Sequence, residues 1–284
     1  VLIFDLHNLA WRAFHTTGAL KHGSDSTGVI FGVLREIQGH VRRFKDPLVI
    51  IASDSWGSLR KEIFPGYKKR DDSKDTEKEK EAKRDCYRQI DALKYEVFPT
   101  IGLNNVFEYE GFEADDIMVE IAIRKSKWVK PCIITGDEDI YQALMHADIW
   151  SPNKRKKVTQ QRFLEEYGIP PHMWSEVKAM AGCSSDTVPG VPGVGEKTAI
   201  QYLLGKLKPD SKKVQAIHEA EKSGHLALMR QLVTLPYPFT PESKIVPNRF
   251  NRDGMIEICD KYGLSTLKED INDWDEIFQK RRGQ

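Results

Sequence analysis

The chain has 284 residues with 43 Lys and Arg against 42 Asp and Glu. That length suits one large domain or two modest ones, and the near-zero net charge singles out no partner. Four scattered cysteines without CxxC spacing (Cys86, Cys132, Cys183, Cys259) argue against a disulfide frame or a zinc site and for reduced thiols in a cytosolic protein. No apolar run is long enough to cross a bilayer and no charged-then-apolar leader is visible, so a soluble monomer with no membrane partner is expected. The chain opens on Val1 rather than methionine, which reads as a few missing upstream residues.

Three short apolar runs end in aspartate: "VLIFD" at Asp5, "PLVIIASD" at Asp54, and "PCIITGDED" with Asp137 and Asp139. Runs of this kind, separated by long helical patterns, predict buried parallel strands. Between the first two, "STGVIFGVLREIQGHVRRF" repeats Val29, Val33, Ile37 and Val41 at helical spacing. Residues 68 to 85 hold eight basic and seven acidic side chains and almost nothing apolar. Composition alone favours a solvated helix or loop there over an element that touches a charged substrate. "GFEADDI" then sets Glu113, Asp115 and Asp116 where a helix begins. Capping explains such acids in isolation, because free N–H groups and the helix dipole favour carboxylates in a first turn.

From about Val158 the pattern becomes mainly helical. "TQQRFLEEYG" starts on a cap at Thr159 and stops at Gly168, and "PPHMWSEVKAMAG" and "EKTAIQYLLG" flank a glycine-rich turn. Residues beyond about 206 are less legible. The predicted division is therefore 1–157 and 158–284.

In an open parallel sheet, ligands bind beyond the carboxyl ends of the strands. Seven carboxylates from four segments would meet there: Asp5, Asp54, Glu113, Asp115, Asp116, Asp137 and Asp139. Packed together without counter-charge they would repel, and some would have to take up protons. Divalent cations remove that cost. An all-oxygen set suits Mg²⁺ or Mn²⁺ rather than zinc, and two ions roughly 4 Å apart can stabilise both oxygens of a phosphodiester displacement. No convincing nucleophile triad is present, and His7 and His15 read as surface or packing residues.

The turn "GVPGVGEKT" is not a nucleotide P-loop, because Glu196 separates Gly195 from Lys197 and a helix rather than a strand precedes it. It fits a hairpin whose glycines let the backbone approach a nucleic-acid phosphate, with helix N–H donors and Lys197 nearby. Lys154 to Lys157 offer further phosphate contacts, or simply a solvated surface.

Six stretches in order, "FDLHNLAWRAFH", "STGVIFGV", "FPGYKKR", "GFEADDI", "TGDEDIYQAL" and "AGCSSDTVPGVPGVGEKTA", resemble the 5′-nuclease family. That family comprises stand-alone phage and bacterial flap endonucleases and 5′–3′ exonucleases, and the nuclease domain of bacterial DNA polymerase I. The likeness is strong to about residue 205. With no polymerase segment following, it points to a stand-alone enzyme of the bacterial cytosol, or of a phage-infected host.

The resemblance implies an α/β fold: a PIN-like core with a mostly parallel sheet, a helical arch at about 67–98, and a C-terminal helical subdomain with a helix–three-turn–helix at about 174–205. It implies first-metal ligands at Asp5, Asp54, Glu113 and Asp115, second-metal ligands at Asp137, Asp139 and Asp186, and support for either from Asp116. It also implies phosphate-contacting Lys68 with Arg70, and a duplex-binding, K⁺-holding turn at Gly190, Gly193, Gly195, Lys197 and Thr198. The partner implied is DNA with 5′ flaps, branches or ends. Cys183 departs from the family's G-D-S-S-D pattern. A thiol is mostly protonated at neutral pH and is a poor ligand for a hard cation, so a weakened second metal is expected. The rival readings are a DNA-binding protein with an attenuated site, and a PIN-type ribonuclease.

Overall fold

A computed structural model describes residues 1–69 and 75–279. Among these, eight strands form two sheets. They are β1 (Leu2–Asp5), β2 (Lys21–His22), β3 (Asp25–Ser26), β4 (Val49–Ala52), β5 (Val106–Phe107), β6 (Cys132–Ile134), β7 (Asp148–Ser151) and β8 (Lys156–Val158). β2 and β3 make a small hairpin, and the rest form one sheet in the order β5-β4-β1-β6-β7-β8, parallel except for β8. The fold is α/β with a mostly parallel six-stranded sheet, as the apolar runs predicted.

Strands β4, β1 and β6 are neighbours, with Asp5 opposite Ala52 and Phe4 opposite Ile134. Their carboxyl ends therefore share one edge. Alternate side chains serve the two faces: Leu2 and Phe4 enter one core cluster, Ile3 the other. Such double burial is why these strands read as continuous apolar runs.

The helices are α1 (Leu6–Thr17), α2 (Gly28–Phe44), α3 (Arg60–Ile63), α4 (Glu77–Ala92), α5 (Phe98–Thr100), α6 (Ala114–Lys125), α7 (Gln160–Tyr167), α8 (Trp174–Ala181), α9 (Glu196–Leu203), α10 (Lys212–Lys222), α11 (His225–Val233), α12 (Arg252–Tyr262), α13 (Ser265–Glu269) and α14 (Ile271–Gln279). The predicted stripe Val29, Val33, Ile37 and Val41 of α2 is fully buried. Thr159 caps α7 by accepting from Arg162 N, and Gly168 ends it at φ 72°. In α4 a Thr76–Glu79 capping box starts a mostly charged helix that buries Cys86, Gln89 and Ile90 near its end. A π-type turn at Leu93–Val97 then runs into α5.

The helices of 158–284 divide between the two faces of the sheet. Helices α8, α9 and α11 pack on the sheet face that holds Ile3, whereas α12 to α14 cross to the opposite face and join α2. Arg35 and Arg42 of α2 pair there with Asp270 and Asp273. No described helix is long and apolar enough to cross a membrane.

Candidate metal centre

Each acid at the shared edge is held by backbone geometry. Asp5, the last residue of β1, caps α1: its Oδ1 accepts from Asn8 N at 2.9 Å and its Oδ2 from the Thr135 hydroxyl at 3.2 Å. Asp54, just past β4, accepts from Ala114 N at 2.8 Å and so docks the start of α6 onto the sheet edge. Its own N–H donates to His7 Nδ1 at 3.3 Å. Burial lowers the His7 pKa, which matches an imidazole that receives a proton there. Asp137 follows β6 and accepts from Asp139 N at 2.8 Å, while Asn8 Oδ1 takes Gly136 N at 3.0 Å. Asp5, Asp54, Glu113, Asp115, Asp137 and Lys68 line one cleft of about 670 Å³.

The electrostatics are those of a site short of positive charge. Burial, then repulsion from Asp54 and Asp137, push Asp5 up to about 7. Burial and the neighbouring Asp137 and Asp5 raise Asp115 well above the carboxylate range. Glu113 Oε1 and Asp115 Oδ1 are buried with no hydrogen-bond partner among the described residues. Unsatisfied buried carboxylate oxygens are costly unless a cation meets them. The donor set is oxygen throughout, which fits a hard divalent ion.

Asp116, one residue on, leaves the candidate ligand set. It is fully buried, and both oxygens face the Arg60 guanidinium at 2.7 and 2.8 Å. Tyr237 N at 2.7 Å and Glu113 N at 3.2 Å also donate to it. Four donors saturate this carboxylate, so it anchors α6 and the 232–237 segment instead of holding an ion.

Lys68 sits at φ 47°, with Nζ 2.8 Å from Glu113 Oε2 and 3.7 Å from Asp186 Oδ1. Burial disfavours its ammonium, but Glu113 and Asp186 outweigh that and raise its pKa. Buried Tyr67 donates to the same Glu113 oxygen at 3.0 Å. Lys68 N also donates to Asp186 O at 2.8 Å, and the Thr187 hydroxyl to Gly66 O at 2.6 Å, which stitches this segment to the turn after α8. Arg70 lies outside the described residues.

Beside the cleft, ligand atoms of Asp139, Cys183 and Asp186 lie within 4.8 Å of one another. Cys183 Sγ donates to Asp139 Oδ2 at 3.3 Å, and burial followed by Asp139 pushes the thiol up to about 11. Burial also lifts Asp186 to about 6 despite Lys68. Here cations are already present: Lys178 Nζ lies 2.7 Å from Asp139 Oδ1 and 2.8 Å from Glu196 Oε1. Lys178 thereby ties the acid cluster to the first turn of α9.

The turn between α8 and α9 divides into buried and open parts. Cys183 and Val188 exchange backbone hydrogen bonds across a tight loop that presents Asp186. Gly190 is buried, and a Cβ there would lie 2.4 Å from Gly182 N. Close backbone packing alone therefore requires glycine here. Thr198 is also buried, its hydroxyl accepting from Lys213 Nζ at 3.2 Å. Gly193, Gly195 and Lys197 are exposed, with Gly193 at φ 76°, and Gly195 starts α9 without a side-chain cap. The basic run 154–157 is largely paired with protein acids: Lys154 with Glu138, Lys156 with Glu166 and Lys157 with Asp148. That favours the solvated-surface reading.

Sequence reasoning missed His7, Arg60, Tyr67 and Lys178. The last was discoverable only as a lysine on the apolar side of α8.

Comparisons with known proteins accord with this geometry. Residues 1–168 match the family described as 5′-3′ exonuclease, N-terminal resolvase-like domain. The chain is 30% identical over 239 residues to a thermostable DNA polymerase I of Thermus aquaticus, covering 82% of this chain and 27% of that protein. It is 31% identical over 215 residues to DNA polymerase I of Mycobacterium leprae, covering 72% of this chain and 22% of that protein. The chain thus spans less than a third of these polymerases. In fold it is similar to the bacteriophage T5 5′-exonuclease with bound zinc, at TM-score 0.71 and 20% identity, over 95% of this chain and 97% of that one. A bacteriophage T5 flap endonuclease complex with DNA and metal ions gives TM-score 0.70 at 20% identity, over 98% of both chains.

Proposed function

The chain belongs to the family of 5′-3′ exonuclease N-terminal resolvase-like domains, and on that premise we propose that it is a metal-dependent 5′ nuclease that hydrolyses DNA phosphodiesters at 5′ ends and flaps, in replication or repair. The observation that carries this reading is the convergence of acids from the ends of β1, β4 and β6 on one cleft, beside Glu113 and Asp115, each of which keeps a buried oxygen without a partner. Asp5, Asp54, Glu113 and Asp115 would hold one Mg²⁺ or Mn²⁺, and Asp137, Asp139 and Asp186 a second. Bound there, the cations stabilise negative charge on the attacking and leaving oxygens of an in-line displacement.

The protein's own residues do the rest. Lys68, held above the acids by Glu113 and Asp186, supplies a fixed positive charge for the scissile phosphate, and Arg70 would add a second. His7 and Asn8 fix the loops that carry Asp54 and Asp137. In the wider architecture we read residues 1–157 as a PIN-like core and the charged segment near α4 as part of an arch over the cleft. We read 174–205 as a helix–three-turn–helix. Its exposed Gly193, Gly195 and Lys197 would face duplex phosphates, and the backbone carbonyls of this turn would hold K⁺, which would supply positive charge toward a phosphate.

One observation favours a second reading, a structure-specific DNA-binding protein with an attenuated site: at position 183 a protonated thiol stands among the second group of acids. A labelled 5′-flap duplex incubated with and without Mg²⁺ decides between them, with Asp115→Asn as control. Mg²⁺-dependent 5′ cleavage lost in the variant supports the nuclease. Tight binding with no cleavage at any Mg²⁺ concentration rejects it. A matched RNA flap tests the ribonuclease alternative.

A further inference from the structure

Trp56 is 78% exposed, although it lies two residues from Asp54 on the rim of the acid-lined cleft. One exposed ring is ordinary on a protein surface; what sets Trp56 apart from exposed Trp128 is its place on the rim of the acid-lined cleft. Its backbone is well anchored. The Ser55 hydroxyl accepts from Gly111 N at 3.0 Å and donates to Phe112 O at 3.1 Å, and Gly57 turns the chain at φ 100°. The ring meets Tyr87 of α4 at 5.9 Å between centroids and 38° between planes. Trp56 also borders a second groove of about 550 Å³, lined by Ser55, Lys94, Tyr95 and Glu108, and so forms a partition between that groove and the cleft. Tyr95 in this groove is 70% exposed.

A strand whose phosphate lies at the acids has Trp56 on the rim beside it, with the second groove directly beyond. An exposed aromatic face on an anchored loop, with lysine ammonium groups nearby, has the chemistry of a stacking platform for unpaired nucleobases. We propose that Trp56 stacks on a nucleobase of the unpaired 5′ strand as it leaves the acid-lined cleft for the groove beside Tyr95. The inference rests on the nuclease reading of the cleft. Stacking needs a π face and no hydrogen-bond code, so the contact is indifferent to base identity and sensitive to base absence.

The test measures affinity in EDTA, where no cleavage occurs, for a 5′-flap duplex with a natural five-nucleotide flap and for the same duplex with an abasic flap. Wild type, Trp56→Phe and Trp56→Ala are compared. Trp56→Ala should bind the natural flap about tenfold more weakly, Trp56→Phe should keep most of the affinity, and the three proteins should bind the abasic flap alike. Equal affinities of wild type and Trp56→Ala for the natural flap overturn the proposal, as does an equal loss on both flaps. If stacking alone is wrong, wild type still binds the flap and cleaves it in Mg²⁺. If wild type does neither, the nuclease reading falls and the stacking site with it. Because the ring is exposed, the thermal midpoints of the variants should match wild type.

Discussion

Two acid groups flank the same cleft, and they are neutralised differently. The group at the strand ends, Asp5, Asp54, Glu113 and Asp115, relies mainly on backbone N–H donors and caps, with Lys68 and Tyr67 serving one Glu113 oxygen, and leaves two buried oxygens without partners. The group after α8, Asp139, Cys183 and Asp186, already has Lys178 and Lys68 beside it and a protonated thiol within it. In the first, the unpartnered oxygens need a proton or an external cation. In the second, internal ammonium groups compete with the ion and one position offers a poor hard-metal ligand. The two metals of the proposed mechanism should therefore differ in affinity, with the second the weaker.

The largest expected effects lie in the first group and its neighbour. Asp115→Asn should lower Mg²⁺-supported flap cleavage by roughly a hundred- to a thousandfold. It should also raise the metal-free thermal midpoint at pH 8, since it removes a repelled, buried charge. A variant with lower rate and lower midpoint would mean that Asp115 is structural. Arg60→Met tests the opposite fate of the next residue. It strands the Asp116 carboxylate in the core, which should cost about 3–5 kcal/mol of unfolding free energy in a denaturant titration. A loss below ~1 kcal/mol would show that the Arg60–Asp116 pair does not anchor α6.

That contrast also marks how far the sequence could be read. Strand ends carrying acids, the Val29–Val41 stripe and the Thr159 cap were legible because local periodicity and capping determine them. The local pattern did not separate Asp115 from Asp116; only the family resemblance gave them different roles. Both are acids in one helix turn, and what distinguishes them is Arg60, 56 residues earlier, with Tyr237 N, 121 residues later. Lys178 was not singled out, because nothing local signals that Asp139 and Glu196 converge on it. The docking of α14 on α2 was hidden for the same reason, as its ion pairs join residues 231 to 235 apart. Long-range pairing leaves no periodic trace in the chain.

A smaller effect sharpens the comparison within the second group. Cys183→Asp replaces the thiol with an ionised oxygen ligand beside Asp139 and Asp186. The Mg²⁺ concentration giving half-maximal cleavage should fall by about tenfold, which corresponds to roughly 1.4 kcal/mol of metal binding. Affinity for flap DNA in EDTA should stay within about twofold. An unchanged Mg²⁺ dependence would mean that position 183 is not part of the metal requirement, and the asymmetry drawn above would lose its chemical cause.

The smallest effect asks whether the acids are truly uncompensated without metal. Inside the fold burial pushes Asp5 up to about 7 and Asp186 up to about 6, both above the ordinary aspartate value of about 3.9. The native state therefore binds more protons than the unfolded chain between pH 4 and 7. The stability this confers is complete below the unfolded value and is lost as pH rises through 6 and 7. Metal-free protein should melt several degrees lower at pH 8 than at pH 5, at about 2–4 °C per kcal/mol. Mg²⁺ at saturation should flatten that slope, because the ion takes the place of the protons. A metal-free midpoint that stays level or climbs across this window would show that the strand-end acids are satisfied by the protein alone, and the case for a cation there would have to be rebuilt.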